Sequence, residues 1–127
     1  MRNNNCIRNL LKLICLLQDN SLNKCSLDDG CIKPFLGPTI NNICYNTRVL
    51  TLYKKDGTIF STNYTNTNNE LISSNYFRVN SINDDCATLL ILKNNDGIYS
   101  STKQFITINL RCICAVKCIN DVVVDNL

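Results

Sequence analysis

Apolar and polar positions change their period near residue 46, dividing the chain into a helical opening and a longer extended part. Residues 6–19 (CIRNLLKLICLLQD) gather Arg8, Asn9, Lys12 and Asp19 on one narrow stripe of a helical wheel and leave most of the circumference apolar. With Asn3 to Asn5 as a cap, this pattern predicts an α-helix buried on most sides. Its own domain is the first expected packing partner, and a neighbouring subunit is the competing one. Residues 20–46 hold Cys25, Cys31, Cys44 and the Gly37-Pro38 break, and read as irregular structure or short strands.

Beyond residue 46 the period becomes two. Residues 48–54 and 58–64 flank Asp56-Gly57, a hairpin signal, and the polar stretch from Thr65 to Asn75 reads as an exposed loop. Residues 76–82 follow as a strand, then 86–93, whose two apolar faces suit a central strand, and Asn95-Asp96-Gly97 turns the chain again. The expected fold class is mainly β: an antiparallel β-sandwich with one N-terminal α-helix. A single domain over 1–127 would comprise the helix at 6–19, the sandwich at 44–118 and a C-terminal tail at 119–127.

The segment 105–118 (FITINLRCICAVKC) alternates throughout. Ile106, Ile108, Leu110, Cys112, Cys114, Val116 and Cys118 occupy even positions, opposite Thr107, Asn109, Arg111 and Lys117. Strict alternation puts all three cysteines on the packed face. The run is long against strands of about 5–6 residues, so a bend or bulge near Arg111 is expected.

Composition narrows the chemistry. The net charge of +3, from 13 basic and 10 acidic residues scattered along the chain, offers no basic face for nucleic acid or membrane. Residues 10–17 are apolar but too short to span a bilayer, and no cleavage signal follows them, so synthesis in a cytoplasm without a signal peptide is expected. Histidine is absent, which removes the usual general base, the usual partner of a nucleophilic cysteine and the commonest zinc ligand. Asp28-Asp29 and Asp84-Asp85 read as turn chemistry, and no phosphate loop or nucleophile motif is present. No catalytic residue, cofactor or small-molecule substrate is expected.

Nine cysteines in 127 residues approach the density of disulfide scaffolds, and an odd number cannot pair completely within one chain. Thiols made in a reducing compartment but equipped for oxidation suit a shell protein that oxidises after assembly. Cys112 and Cys114, two apart on a strand, point in parallel about 7 Å apart, which disfavours both a zinc knuckle and a mutual bridge. No metal site is therefore assigned. Cys6, Cys25, Cys31, Cys44, Cys112, Cys114 and Cys118 are the candidate cross-linking thiols, with Cys6, Cys25 and Cys31 foremost, while Cys15 and Cys86 are expected to be buried thiols. The alternative reading is a cysteine-thiolate metal-binding or redox protein.

The residues carry a resemblance. A cysteine-led helix ending in Leu17-Gln18-Asp19, then Cys31 with Leu36-Gly37-Pro38-Thr39, Tyr53-Lys54-Lys55-Asp56-Gly57, the block from Tyr76-Phe77-Arg78-Val79 to Asp84-Asp85-Cys86-Ala87-Thr88-Leu89, and the closing run 106–118 resemble the spore coat proteins Y and Z and the related exosporium protein ExsY. The resemblance implies a non-enzymatic structural protein of the bacterial spore surface. It implies that the chain's partners are copies of itself, in a disulfide-linked ring or two-dimensional lattice, and other spore-surface proteins. Ala87 and Gln104-Phe105 stand where such relatives often carry cysteine, so sparser cross-linking is implied here.

Overall fold

The computed structural model describes residues 6–27, 45–125 and 127, with side chains through Gln18 in the first stretch. Helix α1 (Cys6–Leu27) runs eight residues past the expected end at Asp19. No glycine or proline occurs between Asn20 and Leu27, and the first breaker, Gly30, lies beyond them. Leu11, Ile14 and Gln18 form its buried stripe, and Ile7 and Cys15 pack half-buried beside them.

Seven strands follow: β1 (Thr47–Lys54), β2 (Thr62–Thr65), β3 (Leu71–Ser74), β4 (Tyr76–Asn83), β5 (Cys86–Asn95), β6 (Ile98–Asn109) and β7 (Ile113–Val122). The protein is mainly β, with antiparallel sheets and one N-terminal helix. One sheet has the order β6-β5-β4-β1-β7, and β2 pairs with β3 in a second. The β5–β6 turn places Asp96 (φ 53) and Gly97 (φ 86) both in the left-handed region, which a two-residue hairpin turn of type I′ requires.

The larger sheet cannot be flat. Four strand spacings of about 4.8 Å would part β6 from β7 by roughly 19 Å. Only a single 3-10 turn, Leu110–Cys112, connects them, and four Cα steps reach at most about 14 Å even when extended. The sheet therefore curls until its two edges meet at that turn. Curling encloses the larger core, in which Leu50, Leu52, Phe77, Val79, Leu89, Ile91, Ile108 and Ile113 meet Leu11 and Ile14 of α1. Tyr64 and Ile72 from the β2–β3 sheet pack on the same core. The opposite face holds a smaller cluster of Val49, Leu90, Leu92, Tyr99 and Val124.

Three expectations need correction. The stretch from Thr65 to Asn75 is not a loop but the turn and second strand of the β2–β3 hairpin. Asn66 Oδ1 accepts from the amides of Asn68 (2.8 Å) and Glu70 (3.0 Å), so a polar sequence closes a tight turn. After Asp56-Gly57 the chain touches β1 through one bridge, Tyr53 to Ile59, and then leaves it. Residues 119–124 are not a tail, because β7 continues to Val122 and Asn46 both donates to Val124 O and accepts from Val124 N.

Side-chain amides replace missing ladder bonds at two places. β1 and β4 share only the pair Leu50–Phe77, and Arg48 and Val79 would form the next equivalent rung. Instead, the carboxamide of Gln18 lies between them, accepting from Arg48 N at 3.0 Å and donating to Val79 O at 2.9 Å. Arg78 bridges the same seam, donating to Thr47 Oγ1, Asn46 O and Asn80 Oδ1. Gln104 does likewise for Thr65, accepting from its N–H at 3.0 Å and donating to its C=O at 2.8 Å. This clasp ties the β2–β3 hairpin to β6.

Thr51, in the middle of β1, buries a hydroxyl that has no hydrogen-bond partner. A buried unpaired hydroxyl costs stability, whereas valine fills nearly the same volume without the polar atom. Thr51→Val is therefore expected to stabilise the chain by about 1 kcal/mol, read as a rise in the urea midpoint at unchanged slope. A lowered midpoint would mean that the hydroxyl is satisfied in solution.

Candidate functional site

The chemistry-bearing side chains of this protein are its thiols, and their places follow from the corner where the sheet turns. Leu110 and Ile113 are both buried and anchor the 3-10 turn in the core. Asn109 Oδ1 accepts from Arg111 N at 2.9 Å, Leu110 N donates to Asp85 O at 2.7 Å, and Arg111 pairs with Asp85 at 3.1 Å. Between the inward Leu110 and Ile113, Arg111 and Cys112 are both turned to solvent.

Cys114 sits on a bulge. Ile113 lies opposite Lys54 and Ala115 opposite Tyr53, so Cys114 is the extra residue of the β1–β7 ladder. Cys118 lies opposite Leu50 but on an edge strand, with no strand beyond it among the described residues. Both are exposed. The expectation that Cys112, Cys114 and Cys118 share the packed face is thus overturned: Cys112 lies in the 3-10 turn, Cys114 is the unpaired residue of the bulge, and Cys118, on the same face as Val116 and Leu50, is left uncovered at the edge of the sheet. Before the turn, Ile108 and Leu110 do point into the core as the alternation requires.

Cys86 was expected to be buried in a central strand. It is exposed instead, at the first residue of β5, opposite Asn109 and immediately after the turn at Asp84-Asp85. A strand-end position beside two acidic turn residues was the signal for exposure. The interior of β5 has Leu89, Leu90, Ile91 and Leu92 buried, as a strand with two covered faces should. Cys15 is half-buried against the larger core, 3.4 Å from Asn80 O. Cys6 is exposed at the first residue of α1. Cys25 lies within α1 rather than in an irregular segment, while Cys31 and Cys44 lie outside the described residues.

Electrostatics around these thiols is mild. Arg48 pairs with Asp121 at 2.7 Å, three residues from Cys118. The hydrogen bond from Arg48 holds the Asp121 carboxyl below its ordinary range. The pair's contribution is present above the ordinary carboxylate range and is lost as pH falls through that lowered value. With both side chains about a third exposed, it is worth less than about 1 kcal/mol. Among the described residues no group of three or more His, Cys, Asp or Glu side chains is placed to hold a metal ion. Among them, too, no helix is long and apolar enough to cross a membrane.

A rigid corner bearing outward thiols suits covalent linkage. The family model for spore coat protein Z matches residues 1–101. The chain belongs to the spore coat protein Z family. Membership implies a structural role at the spore surface for this coat protein. The match ends inside β6, so Cys112, Cys114 and Cys118 lie beyond it. No curated protein and no solved structure matches the chain.

Proposed function

We propose that this chain is a non-enzymatic subunit of the spore outer layer that assembles with copies of itself into a ring or two-dimensional lattice and is then locked by intermolecular disulfides. The observation that supports this most is exposure. Of the six cysteines whose surroundings are described, Cys6, Cys86, Cys112, Cys114 and Cys118 are exposed and only Cys15 is half-buried. Exposed thiols at the Asp85–Arg111 corner and along the edge strand β7 are well placed to meet those of neighbours.

Assembly must come before oxidation. A disulfide needs Cα atoms about 4.4–6.8 Å apart, and only non-covalent contacts hold two molecules within that range. Each bridge then forms as two thiols yield two protons and two electrons to a disulfide oxidant, which leaves as two thiols. Synthesis in the mother-cell cytoplasm, where thiols stay reduced, fits that order, and other spore-surface proteins are the natural further partners.

The test uses the full chain, purified with reductant and then treated with oxidised glutathione. A ladder of covalent oligomers on non-reducing gels is expected, collapsing to one band with reductant, together with rings or sheets by electron microscopy. Replacing the five exposed cysteines with serine should thin the ladder to what Cys25, Cys31 and Cys44 can form, while leaving stability within about 0.5 kcal/mol per site. Peptide mapping that finds every bridge inside single chains would overturn the reading.

A further inference from the structure

The two-stranded sheet leaves one side of β2 without a strand among the described residues. Antiparallel ladders alternate between rungs that exchange backbone bonds and rungs that turn those groups outward. Asn66 N donates to Glu70 O at 2.9 Å, so the rung at 66–70 is bonded and the next one, Thr65–Leu71, is not. The N–H and C=O of Thr65 therefore point out along the free edge of β2, and those of the exposed Asn63, two residues earlier, do the same. Gln104 of β6 meets the Thr65 pair: its carboxamide accepts from Thr65 N at 3.0 Å and donates to Thr65 O at 2.8 Å. One side chain makes the two bonds that a residue of an added strand would make.

We propose that this clasp is an autoinhibitory contact, in which Gln104 holds the slot on the edge of β2 that β2 of a second copy would otherwise fill. Both edges of the larger sheet carry obstacles of their own. β6 is bulged opposite Ile91, where Lys103 sits at φ 65, and β7 is bulged at two places and carries Lys117. Bulges and edge lysines hinder the addition of a strand. β2 has neither: its ladder with β3 runs without a register shift, and residues 60–69 contain no charge and no proline. Two copies of β2 about a two-fold axis at Tyr64 would bring Asn63 of each against Thr65 of the other, outward groups meeting outward groups with no charges opposed. A hairpin of two four-residue strands is marginal by itself. Its base is anchored by Ser74 Oγ donating to Leu92 O at 2.6 Å, and its turn end by the clasp. Loss of the clasp frees the turn end to swing from β6 and uncovers the edge.

The inference concerns the reduced chain and stands apart from the proposed disulfide lock. It is tested by amide hydrogen exchange and sedimentation of the full chain in dithiothreitol, dilute and concentrated. In dilute solution Gln104→Ala should speed exchange at Thr65 about tenfold while the β4–β5 ladder keeps its protection. On concentration this variant should sediment faster, regain protection at Thr65 and gain it at Asn63, whereas the native chain should not. Gln104→Glu keeps an acceptor for Thr65 N–H and loses only the donor, so it should associate less than Gln104→Ala and more than the native chain. It carries the test if Gln104→Ala does not fold.

Unchanged exchange at Thr65 in folded Gln104→Ala would show that the clasp holds nothing shut. No gain of protection at Asn63 on concentrating a folded variant would show that the opened edge takes no second copy. The same gain in the native chain would show that the clasp inhibits nothing. Each of these results overturns the proposal, and each leaves the proposed function standing, because no disulfide forms under these conditions.

Discussion

Gln18→Leu is expected to destabilise the protein by about 2–4 kcal/mol, although leucine suits a helix and a buried site. The loss comes from what the carboxamide leaves behind. Without it, Arg48 N–H and Val79 C=O face each other across an opened seam, and each buried, unpaired backbone group costs about 1–3 kcal/mol. At about 4 °C per kcal/mol for a chain of this size, the melting temperature should fall by roughly 10 °C. Gln18→Glu should fare little better, since an ionised carboxylate can accept from Arg48 N–H but cannot donate to Val79 C=O. Amide hydrogen exchange supplies the local reading, with Arg48 losing protection well before the β4–β5 ladder does. If both variants melt within 1 °C of the native chain, β1 and β4 close directly without the side chain, and its wedging role is wrong.

Gln18 also shows where sequence reasoning stopped. Periodicity placed residue 18 on a helix, and the stripe formed with Leu11 and Ile14 explains its burial. Nothing in the periodicity of 48–54 or 76–82 revealed that those strands share a single paired rung. That deficit is a property of the curled sheet. It follows from three residues joining its two edges, so it is tertiary information that no local window contains.

The segment 105–118 teaches the same lesson more finely. Its length exposed the bend, and the break at Leu110–Cys112 includes Arg111. Its alternation could not give the phase beyond the bend, because a bulge at Cys114 consumes one residue without a partner. The turn and the bulge put Cys112 and Cys114 in solvent, and the open edge at β7 does the same for Cys118, which changes their chemistry. A buried cysteine is a small hydrophobe, whereas an exposed one is open to thiol chemistry with solution partners. The strands at 76–82 and 86–93 were legible because runs of β-branched and leucine residues ended in turn chemistry at Asp84-Asp85 and Asp96-Gly97.

Phe77→Ala should have the largest effect of any single truncation, a loss of about 3–5 kcal/mol. Phe77 has no exposed surface, its ring centroid lies 5.4 Å from that of Phe60, and its backbone forms the one rung that joins β1 to β4. Three connections converge on it: the sheet seam, the chain leaving β1 after the Asp56-Gly57 turn, and the core beneath α1. Removing the ring opens a cavity where these meet, and collapse is resisted because the covalent corner at Leu110–Cys112 fixes the opposite side of the curled sheet. Phe77→Leu keeps most of the volume and should cost about 1.5 kcal/mol. The two variants together separate cavity from chemistry, since both lose the aromatic contact but only alanine leaves the space empty. Urea titrations should show the alanine variant's midpoint falling at least twice as far as that of the leucine variant, at equal slope. Equal shifts would mean that ring stacking on Phe60, and not the filled volume at the seam, holds the two parts of the sheet together.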